Sequence, residues 1–402
     1  MLDLRLLYYA EGARTTLLTG LPPSLHPFVP FASRMRSLTF RFRCSDTVYS
    51  FLHHISPHLP ALESLELDLK IISEEHCHYP DSVFAFSTST KLQSLKVNVD
   101  RGELLNFISF PSDQLTSFEL VYEAIGRNWY FDMKADALLN MLSGFDNLID
   151  CKINCPDRIV ESSSSNSTVV ILQHLRSLEL HVEDQSWINP TGNYWHILSA
   201  LKTPSLESLH LHHQDHEDSP AYSYFGIFLL SDFQKRSQAP ISDLTLSGVP
   251  FCSRDELMTV LGNFSSVTRL SYLCGDFDIG ILMDVLRCRE GHEPLLPGLN
   301  YLAFDLLSES IHRINCIGDL LDSRWWPREE AESETPSSCT QRSVSRLEHI
   351  HIGKIDSYCF TSLYGFSPEV QRRIDACRKQ GLRLDNCPYS LKVAKGMDCT
   401  IS

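Results

Sequence analysis

Apolar residues recur along this chain in a fixed six-residue pattern. The pattern is L-x-x-L-x-L with apolar substitutes. It reads MLDLRL, MRSLTF, LESLEL, LQSLKV, LTSFEL, LIDCKI, LRSLEL, LESLHL, ISDLTL, VTRLSY, LNYLAF and LEHIHI. The central residues are Leu4, Leu38, Leu65, Leu95, Phe118, Cys151, Leu178, Leu209, Leu244, Leu270, Leu302 and Ile350. They follow one another at a mean spacing of about 31 residues. Alternation of this kind turns one face of a short strand into a core and leaves the other face outside. A single hexad carries no weight, but twelve in order predict a strand in every repeat.

The segments between hexads carry helical spacing. Val48, Phe51, Leu52, Ile55 and Leu59 form one apolar face, Leu138, Leu139 and Leu142 a second, and Ile281, Leu282, Val285 and Leu286 a third. Ser253-Arg254-Asp255-Glu256 is a capping box just before Leu257 and predicts a helix start. Ser367-Pro368 opens another helix, with Val370, Ile374 and Cys377 on one side and Gly381 as its stop. Leu382-Arg383-Leu384 then reads as a last strand.

Strand, turn and helix repeated at this period predict an α/β fold. The expected form is one irregular solenoid over residues 1–402, with about twelve repeats, a parallel concave sheet and convex helices. The intervals are ragged, so variable curvature is expected. Residues 156–168, with Ser162 to Ser165 in a row, and the acidic, serine-rich 328–341 read as mobile insertions. Residues 388–402 read as a C-terminal tail.

Composition narrows the function classes. The chain has 402 residues, 35 Lys+Arg and 50 Asp+Glu, and a net charge of −15. That balance argues against general nucleic-acid binding, which rests on basic residues neutralising phosphates. No apolar run approaches the roughly 20 residues of a spanning helix. Asp3 and Arg5 interrupt the first apolar stretch, so it is not a secretion signal. The 13 cysteines are scattered, and Cys151, Cys288 and Cys377 sit where an apolar residue would serve. They read as reduced, buried thiols of an intracellular protein, cytoplasmic or nuclear. Cys151 and Cys155 have no second pair at zinc-finger spacing. There is no G-x-S-x-G, P-loop or dinucleotide fingerprint, so no catalytic residue and no cofactor is expected.

The hexads resemble the leucine-rich-repeat family over nearly the whole chain. They depart from its best-known pattern, which has Asn three residues after the last Leu. Here Arg43, Lys70, Asp100, Glu123, Pro156 and Glu183 are among the residues at that place. The opening Arg36 to Phe40 and the late run Arg373 to Leu384 make the chain similar to fungal F-box proteins. In that family an N-terminal F-box binds the adaptor of a cullin ubiquitin ligase, and the repeats bind the substrate. Leu21-Pro22 is the only candidate F-box start, and Pro23, Pro27 and Pro30 follow it too closely for a continuous helix. The resemblance therefore implies the substrate-binding half without an F-box. An adaptor partner is expected only if an F-box lies upstream. The first hexad begins at Met1 with no cap before it, which leaves two readings: an edge strand, or a natural protein that continues upstream.

Candidate contact residues lie on the polar face of the strands. Ser37, Ser64, Ser94, Ser117, Ser177 and Ser208 precede the central residue in six repeats. Such a column either forms a polar strip or simply suits a crowded sheet. Farther along lie Glu66, Asp68, Lys96, Asn98, Glu119, Lys152, Asn154, Glu179, His181, His210 and His212. This mixed-charge face suits a protein partner, and the net charge would steer a basic one. His181 and His212 hold the same place in neighbouring hexads, with Glu179 and His210 beside them. Three histidines and a carboxylate could hold a divalent metal, although a solvated patch is the commoner outcome. His76-Cys77-His78 is a weaker candidate. Trp325-Trp326 reads either as a partner anchor or as a helix end tucked onto the array. Cys399-Thr400-Ile401-Ser402 fits the prenylation pattern, with Cys399 as the lipid site and a weak, reversible membrane visit as its consequence.

The expected function is a non-enzymatic protein-interaction scaffold, of the kind that serves as an F-box substrate receptor. The alternatives are a prenylated adaptor using the same face and a metal-dependent enzyme on the histidine patch.

Overall fold

The computed structural model describes residues 2–8, 26–42, 55–69, 84–86, 88–99, 108–122, 133–155, 159–160, 169–183, 194–214, 224–249, 251, 253–273, 278–289, 291–305, 315–325, 344–353 and 366–386. Every hexad lies on a strand. In chain order these are β1 (Leu2–Tyr8), β2 (Met35–Phe42), β3 (Ser64–Leu69), β4 (Ser94–Val99), β5 (Ser117–Tyr122), β6 (Asp150–Cys155) and β7 (Ser177–Glu183). They continue as β8 (Ser208–Gln214), β9 (Asp243–Ser247), β10 (Arg269–Leu273), β11 (Tyr301–Phe304) and β12 (His349–Ile352), and Arg383–Asn386 adds β13.

The chain forms two compact units. One comprises Met1–Leu206, His213–Tyr222 and Arg236–Ala239; the other comprises Glu207–His212, Ser223–Lys235 and Pro240–Ser402. In the first unit β1 to β7 pair in chain order, all parallel. In the second β8 to β13 do the same. Parallel neighbours need a crossover between them, which is what the intervening segments supply.

Register turns the hexad into rows. From β2 to β7 the central residues Leu38, Leu65, Leu95, Phe118, Cys151 and Leu178 stand side by side. All are buried, as is the next inward row of Phe40, Leu67, Val97, Leu120, Ile153 and Leu180. The second unit repeats this with Leu209, Leu244, Leu270, Leu302 and Ile350. Tyr272 replaces an aliphatic residue in its inner row, and its hydroxyl donates to Val249 O at 3.0 Å. A buried phenol needs that acceptor.

A repeated backbone staple holds the strand starts in line. Gln93 N and Ser94 N both donate to Glu63 O, Thr116 N and Ser117 N to Gln93 O, and Thr268 N and Arg269 N to Ser242 O. The residue before each strand and the first strand residue thus share one carbonyl of the previous repeat. This fixes the same hexad position at the same height in each strand.

The helices are α1 (Ala135–Leu142), α2 (Tyr194–Ala200), α3 (Tyr224–Ser237), α4 (Arg254–Gly262), α5 (Ile279–Leu286), α6 (Cys316–Arg324) and α7 (Pro368–Lys379). Leu138, Leu139 and Leu142 are buried on α1, and Leu282, Val285 and Leu286 on α5, as their spacing predicts, while Ile281 of the same predicted face is only half-buried. Ser253 caps α4 by accepting from Glu256 N at 3.2 Å, and Ser367 caps α7 by accepting from Val370 N at 3.3 Å. Gly381 follows α7 at φ 104°, a left-handed conformation that glycine tolerates. The chain around Pro27 and Pro30 forms a 3₁₀ segment, His26–Arg34, in keeping with prolines that forbid an α-helix. The predicted face over 48–59 is described only from Ile55, where Ile55 and Leu59 are buried around a 3₁₀ turn at Ser56–His58.

Two arginines fasten helix ends in the same way. In the first unit Arg236 donates to Leu201 O at 2.9 Å and Leu198 O at 2.5 Å, at the end of α2. Ser237 Oγ accepts from Thr203 N at 3.1 Å. In the second unit Arg324 donates to Leu286 O at 2.6 Å, Leu296 O at 3.1 Å and Leu295 O, at the end of α5. Ser323 Oγ accepts from Cys288 N at 3.2 Å. Helix C-termini leave carbonyls without intrahelical partners, and a guanidinium fork meets several at once.

Of the expected insertions, Ile159–Val160 pairs in parallel with Met133–Lys134. The rest of 156–168, all of 328–341 and 388–402, and His76-Cys77-His78, Trp326 and Cys399 lie outside the described residues.

Candidate functional site

Each unit presents a polar strand face, and the in-register pairing decides which residues meet there. In the first unit one row runs Thr39, Glu66, Lys96, Glu119, Lys152 and Glu179 across β2 to β7. Charges alternate from Glu66 to Glu179. Thr39 Oγ1 donates to Glu66 at 3.3 Å, Lys96 Nζ to Glu119 at 2.9 Å and Lys152 Nζ to Glu179 at 3.0 Å. Neighbouring parallel strands lie about 4.8 Å apart, so opposite charges at one height pair without distortion.

The adjacent row holds Asp68, Asn98, Val121, Asn154 and His181. Asn98 is only 7% exposed, and its Oδ1 has no hydrogen-bond partner among the described residues. His181 Nε2 is bonded to Glu179 Oε1. Burial alone would raise the Glu179 pKa. The hydrogen bonds from His181 and Lys152, with the charge of Lys152, outweigh it and hold the carboxyl down at about 2.

This arrangement carries a sign. A carboxyl whose folded pKa lies below its ordinary value of 4.5 stabilises the folded form above that value. The contribution is lost as pH falls from 4.5 towards 2. Lys152→Met is expected to raise the Glu179 pKa by about 1 unit, and to move acid unfolding of the first unit to higher pH. Carboxyl carbon NMR of Glu179 in both proteins, followed through the acid range, measures it. An unchanged midpoint would mean that His181 alone sets the shift.

In the second unit the row one place before the central residues, where the first unit has mostly serine, runs Ser208, Asp243, Arg269, Tyr301, His349 and Arg383. Four of its members, Asp243 to His349, are linked by contacts, and His210 and Asp385 of the next row join them at the ends. Ser208 Oγ lies 2.9 Å from His210 Nε2, and that nitrogen is 4.0 Å from Asp243. Arg269 Nε donates to Asp243 Oδ2 at 3.3 Å, and Arg269 Cζ sits 4.1 Å from the Tyr301 ring centroid. The Tyr301 ring meets His349 edge-on at 4.9 Å, and His349 Nε2 is 2.7 Å from Asp385 Oδ2. Burial pushes the Tyr301 phenol up, so it stays protonated at neutral pH.

The structure thus brings Glu66, Lys96, Glu119, Lys152 and Glu179 into one row and Asp68, Asn98, Asn154 and His181 into the next. His210 and His212 belong to the second unit, with rings 6.3 Å apart. Of the four metal candidates, Glu179 and His181 fall in the first unit and His210 and His212 in the second, so neither unit by itself assembles more than two. Sequence reasoning missed Asp243, Arg269, Tyr301, His349 and Asp385. The first four occupy the hexad position that carries serine in the earlier repeats, and that column was the available signal.

Other candidates have structural surroundings. Cys151 is buried in the inner row, and burial pushes its thiol up to about 12, which keeps it neutral and inert. Trp325 is tucked down at the end of α6. Arg346 Cζ lies 3.4 Å from its ring centroid, and its Nε1 donates to Gln380 at 2.8 Å. No helix among the described residues is long and apolar enough to cross a membrane.

No protein-family model matches this chain, and no curated protein matches it.

Proposed function

We propose that the chain is a non-enzymatic, leucine-rich-repeat-like interaction protein that binds a protein partner on its polar strand faces. The observation that carries this reading is the in-register packing of long, charged and aromatic side chains in continuous rows on the side of each sheet facing away from the core. A flat row at fixed height offers pre-positioned contacts over several strands, as a protein surface requires. The resemblance to F-box proteins extends the proposal to a substrate receptor of a ubiquitin ligase, with the adaptor engaged only if an F-box lies upstream.

The test is affinity capture from the native host with three baits: the wild-type chain, Lys96→Glu with Lys152→Glu, and a helix-side control, Arg372→Glu with Lys379→Glu. Mass spectrometry should find a partner that is depleted at least ten-fold on the strand-face variant and kept on the control. Ligase adaptor and cullin peptides in the same capture would support the receptor role. A partner lost equally from both variants, or from neither, would remove the strand face from its recognition.

A further inference from the structure

We propose that Arg269, in the Asp243–Arg269–Tyr301–His349 row of the second unit, is the subsite for a single carboxylate of the partner, an Asp or Glu side chain in an extended segment. This rests on the partner-binding reading above and assigns the chemistry of one of its contacts.

The argument starts from the guanidinium. Arg269 is half exposed, with 51% of its side chain accessible, yet two contacts orient it. Its Nε is taken by Asp243, and its face lies on the Tyr301 ring. Tyr301 is braced in turn by His349, and His349 by Asp385. Among the described residues no acceptor meets Nη1 or Nη2. An arginine held at its Nε and its face presents the remaining N–H groups as a fixed fork. That fork matches a carboxylate in a two-point hydrogen bond. Much of the ordering entropy that a free surface arginine would lose on binding has already been lost.

The row next to the fork carries only small residues across β9 to β11. Thr245, Ser271 and Ala303 stand in register beside Asp243, Arg269 and Tyr301, and all three are small. Thr245 and Ala303 are 7% and 3% exposed. With these two nearly closed to solvent, the half-exposed guanidinium is what this stretch of β9 to β11 offers to an approaching chain.

Charge complementarity selects the occupant. Asp243 lies in the same row and Asp385 at the far end of the next, each already engaged by Arg269 or His349. A dianionic phosphate would meet these carboxylates with twice the repulsion, and Arg269 alone is no match for it. A carboxylate is matched one to one. The net charge of −15 also opposes a polyacidic tail, so a segment with one or two acidic residues fits better.

The experiment uses the full chain with ¹⁵N-labelled arginine, observing the Arg269 Nε–H resonance identified by its loss in Arg269→Lys. The probes are the capped peptides Gly-Ser-Glu-Ser-Gly, its Gln counterpart and its phosphoserine counterpart. The expected result is a saturable millimolar shift with the Glu peptide, at least five-fold weaker or absent with Gln. Tyr301→Phe should keep that binding, and Tyr301→Ala should weaken it at least three-fold. No shift, a shift that rises without saturation, or equal response to Glu and Gln overturns the proposal. Tighter binding of the phosphopeptide overturns the choice of a carboxylate. Arg269→Gln added to the capture experiment separates the two readings. A partner retained undiminished by that variant, yet lost from Lys96→Glu with Lys152→Glu, sinks this subsite and leaves the strand-face reading standing.

Discussion

Arg324→Met is expected to destabilise the second unit by about 3–5 kcal/mol. Arg324 is fully enclosed, and its charge is met by carbonyl dipoles. Leu286 O belongs to the last turn of α5, where no intrahelical donor exists. Leu296 sits at φ 49°, a left-handed conformation that leucine seldom adopts, and its carbonyl is aimed at Nη1. Burial depresses the Arg324 pKa, but a guanidinium starts so high that it stays charged. Methionine fills much of the volume and removes every donor. Two buried carbonyls and the half-buried Leu295 O then lose their partner, at about 1–3 kcal/mol for each buried one before relaxation. Arg324→Lys keeps a charge but cannot span three acceptors spread along a planar fork, so it should fall between the two. Repeat structures open locally, so the measurement is hydrogen exchange of amides in Ile279–Leu286 and Cys316–Arg324. Unchanged protection in the methionine variant would show that water already serves these carbonyls.

That latch was not legible in the sequence, and the reason is physical. An arginine in the last turn of a helix reads as a solvated charge that complements the dipole. Only the packing of α6 against the end of α5 encloses it. Helices α2 and α3 were missed as well, and of α6 only its end at Trp325 was read. Ile197 and Leu198 are buried on α2, whose 7 residues are too few to show a periodic stripe, and α3 exposes Phe228, which blurs its apolar stripe. The strands behaved differently. Their alternation is a property of each hexad alone, and parallel pairing without slips after β1 converts equal hexad positions into sheet rows. For that reason Glu66, Lys96, Glu119, Lys152 and Glu179 could be named together from sequence. The second unit's row followed the same rule. It was overlooked because the column changes from Ser to Asp243, Arg269, Tyr301 and His349, and a search for one residue type loses it there.

The alternation itself has a direct test at Leu178. Leu178→Ala should cost about 2–5 kcal/mol, whereas Ser177→Ala, one residue earlier, should stay within about 0.5. Leu178 is 1% exposed and stands in register with Cys151. Removing its branched end leaves a cavity that its neighbours are poorly placed to fill. Cys151 and the residues behind it are fixed by backbone ladders on both sides of β6. Ser177 points the other way, and its backbone N–H, which the substitution keeps, makes the staple to Ile149 O at 3.1 Å. Hydrogen exchange across β6 and β7 in the two variants reads the contrast locally. Equal effects at both positions would mean that the strand is held by its backbone and not by its inward row. A large effect at Leu178 alone ties the fold of the first unit to the pattern of alternating residues, because the two substitutions leave β-strand pairing untouched and differ in the face they alter.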